Sequence, residues 1–274
     1  MGKVMKLQDA VALIEDGSVL AIGGNVLHRA PMALVREIAR QEKKGLKLVK
    51  TAGAMDVDLL CFAGCVASVD AGFISYESKY SLANHYRYAV QNGDVQAHEH
   101  ACYTVISALR AAQAGIPFMP VKGLMVSDLI TQNDYFTKIT DPFSGQEVTV
   151  VRAIVPDVCI LHVEEADELG NAVVTPPLFE DILMAKASRK VIVTAEKIVP
   201  TSRIRRENER VLLPHFLVSA VASTEQGAAP CSCYPLYDIN RRDIERFKAL
   251  KTQEELGEWL KSYEYADRVS REVY

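Results

Sequence analysis

Apolar residues recur along this chain in two alternating periods. Leu7, Ala10, Val11 and Ile14 follow helical spacing and stop before Gly17, so the sequence opens on an amphipathic helix. The run SVLAI, Ser18 to Ile22, is apolar throughout and ends abruptly at Gly23-Gly24, which predicts a strand and a glycine turn. Pro31 then opens MALVREIARQ, where Met32, Val35, Ile38 and Ala39 form one apolar stripe of a helix. The pattern repeats with a strand at LKLVK from Leu46, a short helix at VDLLCFAG from Val57 and a strand at VASVDAGFIS from Val66. Helices follow at LANHYRYAVQNG, closing at Gly93, and TVISALRAAQAG, closing at Gly115, before a short strand at IPFMPV.

The polar stretch from Lys122 to Glu147 is expected to be the longest irregular segment, a candidate lid or partner contact. Beyond it, VTVVRAIVPDVCILHV supplies two apolar strands, EDILMAKASRK a helix, and KVIVTAE and FLVSAVAS two further strands. The last forty residues are charged and helix-forming. Strands apolar nearly throughout, alternating with helices, predict a mostly parallel sheet covered on both faces. No internal repeat divides the chain, which reads as one domain, 1–274, with a helical C-terminal appendage from about 240.

Composition narrows the partners. Thirty-one basic residues against 35 acidic ones give a net charge of −4, with no basic block to track a phosphate backbone, so nucleic acid is not expected. The first residues carry Lys6, Asp9, Glu15 and Asp16 where a secretory signal needs an apolar core, and no stretch approaches a membrane span. A cytoplasmic protein is expected. The six cysteines, Cys61, Cys65, Cys102, Cys159, Cys231 and Cys233, are sparse and mostly in apolar surroundings, as reduced thiols would be. Their spacings do not match a zinc site, and His98 and His100, two apart, are expected on opposite strand faces.

In an open parallel sheet, ligands bind beyond the carboxyl ends of the strands, which directs attention to Gly23, Gly24 and Asn25. Glycines there permit positive φ and close backbone approach, so main-chain N–H groups can converge on an anion; equally, two glycines can simply join a strand to a helix. No GxGxxG fingerprint, Walker lysine or GxSxG elbow is present, which takes most of the support from a dinucleotide reading and leaves nucleotide phosphoryl transfer and serine hydrolysis without their usual motifs. His162, inside CILHV, reads as a structural residue of a buried strand. Glu77 follows the strand-like GFIS and precedes a helix, a position suited either to proton transfer or to a solvated helix-leading acid.

These residues, taken together, resemble the A (α) subunits of glutaconate CoA-transferase and other class I CoA-transferases. The likeness is carried by AIGGN from Ala21, HRAPMALVREIAR from His28, LRAAQAGIPFMPV from Leu109, DPFSGQEV from Asp141, PDVCILHVEEADELGNA from Pro156, VIVTAEKIV from Val191 and CYPLYDIN from Cys233. The resemblance implies a three-layer α/β/α fold of the NagB/RpiA/CoA-transferase kind and a B-type partner subunit in a heterotetramer or larger assembly. It also implies CoA as substrate with no permanently bound cofactor or metal. In such enzymes a glutamate of the B-type partner, in a Ser-Glu-Asn-Gly motif, attacks an acyl-CoA and carries CoA as a glutamyl thioester to an acceptor acid. This chain has no such string. Its nearest approach, Ser75-Tyr76-Glu77-Ser78, falls in a substrate-side segment, so the resemblance gives Glu77 and Ser78 an orienting role. Gly23, Gly24 and Asn25 carry over as the crevice turn, with Arg29 and Cys102 as further candidates. Asn25 stands where the family usually has a bulky residue, which implies a hydrogen bond to substrate and a different acyl group. Some relatives of this architecture hydrolyse ring-cleavage thioesters or decarboxylate a glutaconyl-type thioester instead, and a weaker alternative is a non-catalytic module that binds acyl-CoA or a sugar phosphate.

Overall fold

The computed structural model describes residues 2–124, 127–206 and 211–268. The strands are β1 (Val19–Ile22), β2 (Leu46–Gly53), β3 (Val66–Ile74), β4 (Gln96–Glu99), β5 (Phe118–Pro120), β6 (Phe136–Thr140), β7 (Glu147–Arg152), β8 (Val158–Ala166), β9 (Ala172–Val173), β10 (Lys190–Ile198), β11 (Val211–Leu213) and β12 (Ala220–Ser223). The helices are α1 (Leu7–Ala12), α2 (Met32–Arg40), α3 (Met55–Phe62), α4 (Glu77–Tyr80), α5 (Asn84–Gln91), α6 (Cys102–Gln113), α7 (Leu129–Gln132), α8 (Asp181–Ala187), α9 (Thr201–Arg206), α10 (Arg241–Lys248) and α11 (Gln253–Arg268).

Parallel pairing runs β4-β3-β2-β1-β8-β10-β12. The sheet grows outward from β1 through β4, and the chain then returns to the other side of β1. Strand order therefore reverses between β1 and β8, where Leu20 faces Val158 and Ile22 faces Ile160. The short β9 folds back antiparallel on the end of β8 and is joined by β11. This is the mostly parallel α/β sheet expected from the apolar strands.

Alternation along each strand sends side chains into two cores. Leu20, Ile22, Leu48 and Ile160 join one cluster with α1, α2 and α3, while Ala21, Val49, Cys159 and Leu161 join the other with α6 and α8. The C-terminal helices belong to the first: Ile244, Phe247 and Trp259 are fully buried in it. Arg36 and Arg40 of α2 both bind Asp267 near the end of α11, at 2.5 and 2.7 Å. No helix among the described residues is long and apolar enough to cross a membrane.

Two expectations are corrected. The segment 122–147 is not irregular: it contains α7 and β6, and β6 pairs antiparallel with β7, which also pairs β5, in a separate three-stranded sheet. The exposed turn between β6 and β7 closes through the Asp141 N–H to the Gln146 carbonyl at 2.8 Å. His98 and His100 do not diverge. Residues two apart share a strand face, and both rings reach the same Asp70 oxygen, at 3.1 and 3.3 Å.

Candidate active site at the strand-order reversal

Beyond β1 the chain turns sharply, and every element of that turn is held from below. Lys50 on β2 is fully buried, and its ammonium donates to the Gly23 carbonyl at 2.5 Å and the Gly24 carbonyl at 3.0 Å while pairing with buried Asp56 at 2.9 Å. From the other side, Asp181 at the start of α8 accepts the Gly24 N–H at 2.7 Å and pairs with Arg29. Burial pushes the Asp181 carboxyl above its usual range, opposed by Arg29, the Gly24 N–H and Lys50. The glycines are dictated by this packing: a Cβ at Gly23 would lie 2.2 Å from Leu161 Cδ2 and 2.5 Å from Asp181 Oδ1. Gly24 sits at φ +71°, with the Arg29 carbonyl 2.5 Å from where its Cβ would be.

The turn does not offer a main-chain anion cradle. The N–H groups of Gly23, Asn25 and Val26 donate to the carbonyls of Ile160, His28 and Ala52 at 3.0, 2.9 and 3.0 Å, and that of Gly24 is taken by Asp181. What the turn presents is the half-buried Asn25 side chain, whose amide has no partner among the described residues. Arg29 is buried too; its guanidinium donates to the carbonyls of Thr175 and Pro177, at 2.7 and 2.9 Å, and faces Asp181. It anchors the turn from beneath.

A hollow of about 690 Å3 flanks this turn, lined by His28, Glu77, Lys79, Ser232 and Arg241 among others. Glu77 stands at φ +62° on the exposed tip of a small loop closed by the Ser81 N–H on the Glu77 carbonyl at 2.8 Å, and its carboxylate has no partner among the described residues. The loop's anchor is Tyr76, fully buried, with its hydroxyl donating to Asp58 at 2.9 Å and the Lys248 ammonium 4.7 Å above its ring; Lys248 also donates to the Tyr80 carbonyl. Ser78 is exposed on the same loop but does not line the hollow. On the other side, Thr51 receives the Cys102 thiol on its carbonyl at 3.3 Å and donates its hydroxyl to Glu180 at 2.8 Å. Gly72 lets α6 start there, since its Cβ would meet the Cys102 N–H nitrogen at 2.2 Å. Glu77 and Cys102 are thus brought to one edge of the sheet but not to one another.

His162 is buried as expected, its ring held by Thr194 at 2.9 Å and Glu196 at 2.7 Å. With Cys233, His162 and Glu196 come within 4.8 Å of one another, the spacing of a metal cluster. The chemistry argues against an ion there. Glu196 already accepts from His162, Tyr237 at 2.5 Å, and the Gln226 and Gly227 N–H groups at 2.8 and 3.2 Å. Burial alone would raise this carboxyl, yet the hydrogen bonds outweigh it and hold it below its usual value. Burial pushes the Cys233 thiol up to about 12. The cluster clamps the 226–237 segment onto β8 and β10.

Sequence reasoning did not find Lys50, Thr51, Glu180 or Asp181. Lys50 left one signal, a charge ending an apolar strand-like run; the others are visible only once β2 and α8 are side by side.

The family model described as Coenzyme A transferase matches residues 4–224. An uncharacterized protein of Archaeoglobus fulgidus is 36% identical over 96% of this chain, and the chain spans 59% of that relative's length. The A-type component of glutaconate CoA-transferase from Acidaminococcus fermentans is 29% identical over 96% of this chain and 88% of that protein. The crystal structure of that bacterium's glutaconate coenzyme A-transferase superposes with a TM-score of 0.89 at 30% identity, over 95% of this chain and 88% of that one. The structure of the decarboxylase AibA/AibB gives 0.87 at 33%, over 97% and 100%. The chain belongs to the coenzyme A transferase family.

Proposed function

We propose that this chain is the A-type subunit of a heteromeric CoA-transferase, acting as one domain that shapes the acyl end of a thioester site. One observation carries the reading. The Asn25 side chain of the crevice turn and the Glu77 side chain of the loop after β3 have no partner among the described residues, whereas Lys50, Asp181 and Arg29 are all turned inward. Such a wall supports chemistry whose attacking group arrives from another chain. A glutamate of a B-type partner attacks the acyl-CoA, CoA becomes a glutamyl thioester, and an acceptor carboxylate takes the CoA on. In this reading the Asn25 amide, in place of main-chain N–H groups of the glycine turn, donates to the oxygen on which charge develops, and Glu77, beside Ser78, orients the acyl group. Gly23, Gly24 and Arg29 keep Asn25 in place, and Cys102 borders the thioester side. The complex is a heterotetramer or larger, uses CoA as substrate, and works in the cytoplasm.

The test is co-purification with the B-type chain, incubation with acyl-CoA, and borohydride trapping followed by mass spectrometry. A reduced glutamyl residue on the partner is expected; robust turnover by this chain alone would overturn the assignment. A second reading, decarboxylation of a CoA thioester, is favoured by the 33% identity and full-length overlap with AibA/AibB. Release of carbon dioxide without appearance of a new acyl-CoA from added acceptor acids would select it.

A further inference from the structure

The crevice turn is held from two directions. Lys50 and Asp181 grip its outgoing limb at Gly23 and Gly24. The main chain of its returning limb is held by a residue far along the sequence, Ser232: the Arg29 N–H donates to the Ser232 carbonyl at 2.7 Å, and the Ser232 N–H donates to the Leu27 carbonyl at 2.9 Å. The Ser232 hydroxyl meets His28 Nδ1 at 2.8 Å. His28 in turn exchanges two main-chain hydrogen bonds with Asn25, at 2.9 and 2.8 Å. Asn25 therefore stands two links from Ser232.

The turn needs such a hold. Val26 lies at φ +48° and Arg29 at φ +51°, a left-handed backbone that is an outlier for a β-branched residue. Strained backbone of this kind persists only where its surroundings impose it. Slack at Ser232 would let the limb relax and carry Asn25 with it.

Ser232 is fixed through Tyr237. The Tyr237 main chain pairs with that of Cys233, next to Ser232: its N–H donates to the Cys233 carbonyl at 3.1 Å, and its carbonyl accepts the Cys233 N–H at 3.0 Å. The Tyr237 hydroxyl accepts the Ala228 N–H at 3.1 Å and donates to Glu196 at 2.5 Å. One half-buried residue thus ties both limbs of the 226–237 segment to β10. Burial, with Glu196 and Cys233 beside it, raises this hydroxyl far above its ordinary range, so it stays a donor. Tyr237 is not among the residues lining the hollow beside the turn, so any effect on the crevice passes through Ser232.

We propose that Tyr237 is a positioning residue of the crevice, which sets the place of the Asn25 amide by pinning the segment that carries Ser232 onto Glu196. The assignment rests on the oxyanion role given to Asn25. The competing account is that the bond between Tyr237 and Glu196 stabilises its own segment and nothing more.

The experiment is a double-variant cycle on the complex with its partner chain: wild type, Tyr237→Phe, Asn25→Ala and the two combined. The substrate is whichever of acetyl-, glutaryl- and crotonyl-CoA the wild-type complex consumes fastest. Tyr237→Phe should lower kcat about 10- to 100-fold with KM in place, and Asn25→Ala should lower it about 100- to 1,000-fold. The combined variant should be no slower than Asn25→Ala alone, because the tyrosine then has nothing left to position. Glu196→Gln, of equal size but with one acceptor oxygen fewer, is the second variant and should repeat the pattern; circular dichroism checks the fold of each. An unchanged kcat in Tyr237→Phe, or losses that multiply in the combined variant as a lower folded fraction would make them, overturns the positioning role. Wild-type kcat in Asn25→Ala rejects the oxyanion role of Asn25 instead, and a wild-type complex that consumes none of the thioesters rejects the functional reading itself.

Discussion

The Lys50 ammonium and the Asp56 carboxylate, both wholly buried, lie 2.9 Å apart directly beneath the Gly23-Gly24 turn. Removing one partner of such a pair leaves an uncompensated charge in the interior, which typically costs about 3–5 kcal/mol. Lys50→Met should therefore lose that much by urea unfolding, and Lys50→Met/Asp56→Asn should recover a large part of it. A single variant as stable as wild type would show that the pair does not carry the turn.

Gly24 tests crowding against strain. A Cβ there would sit 2.5 Å from the Arg29 carbonyl at φ +71°, whereas Gly17 has a similar φ of +76° with nothing within 4 Å. Left-handed strain alone costs about 1–2 kcal/mol, and overpacking adds roughly 1–3 kcal/mol. Gly24→Ala should destabilise beyond Gly17→Ala by that second amount and abolish turnover of the complex. Equal losses in thermal unfolding would remove the close approach as the reason for the glycine.

For Glu77, the expected separation is between activity and stability. Its carboxylate is exposed and has no partner among the described residues, so Glu77→Gln should leave the unfolding midpoint in place. Turnover by the complex should drop on the order of 100-fold if the carboxylate acts on substrate. A rate unchanged at saturating substrate takes Glu77 out of the site.

Asp58 anchors the loop that carries Glu77, and burial pushes its carboxyl from 3.8 up to about 6 despite hydrogen bonds from the Tyr86 N–H and Tyr76 hydroxyl. The native state then holds this proton more tightly than the unfolded chain, so stability falls as pH rises through that interval. The cost is complete above about 6 and absent below the unfolded value, on the order of 3 kcal/mol. Asp58→Asn does not titrate. Its stability relative to wild type should improve by roughly 2–3 kcal/mol between pH 4 and pH 7; a difference independent of pH would contradict the burial effect.

Strands β1, β2, β3, β8 and β10 could be read from the sequence because strands buried on both faces are apolar at nearly every position. The crevice turn could be read because two glycines end such a run. The reversal between β1 and β8 could not, since it depends on Leu20 meeting Val158 across the whole intervening chain. Strand β6 was hidden for a different reason: its burial is partial, Phe136 alone being buried, and its pairing partner lies at the end of the same polar stretch. The supports of the site, Asp181 and Glu180, carry no local mark, because a helix-leading acid looks the same whether it faces water or a glycine turn.

Of the six thiols, Cys61, Cys65, Cys159, Cys231 and Cys233 are buried and Cys102 is exposed at the head of α6, with Thr51 and Glu180 beside it. The fold thereby places a single alkylatable handle at the carboxyl end of β2, against the Thr51 carbonyl. A maleimide dye on the native protein should attach there alone, and its emission would report occupancy of the crevice without any engineered label.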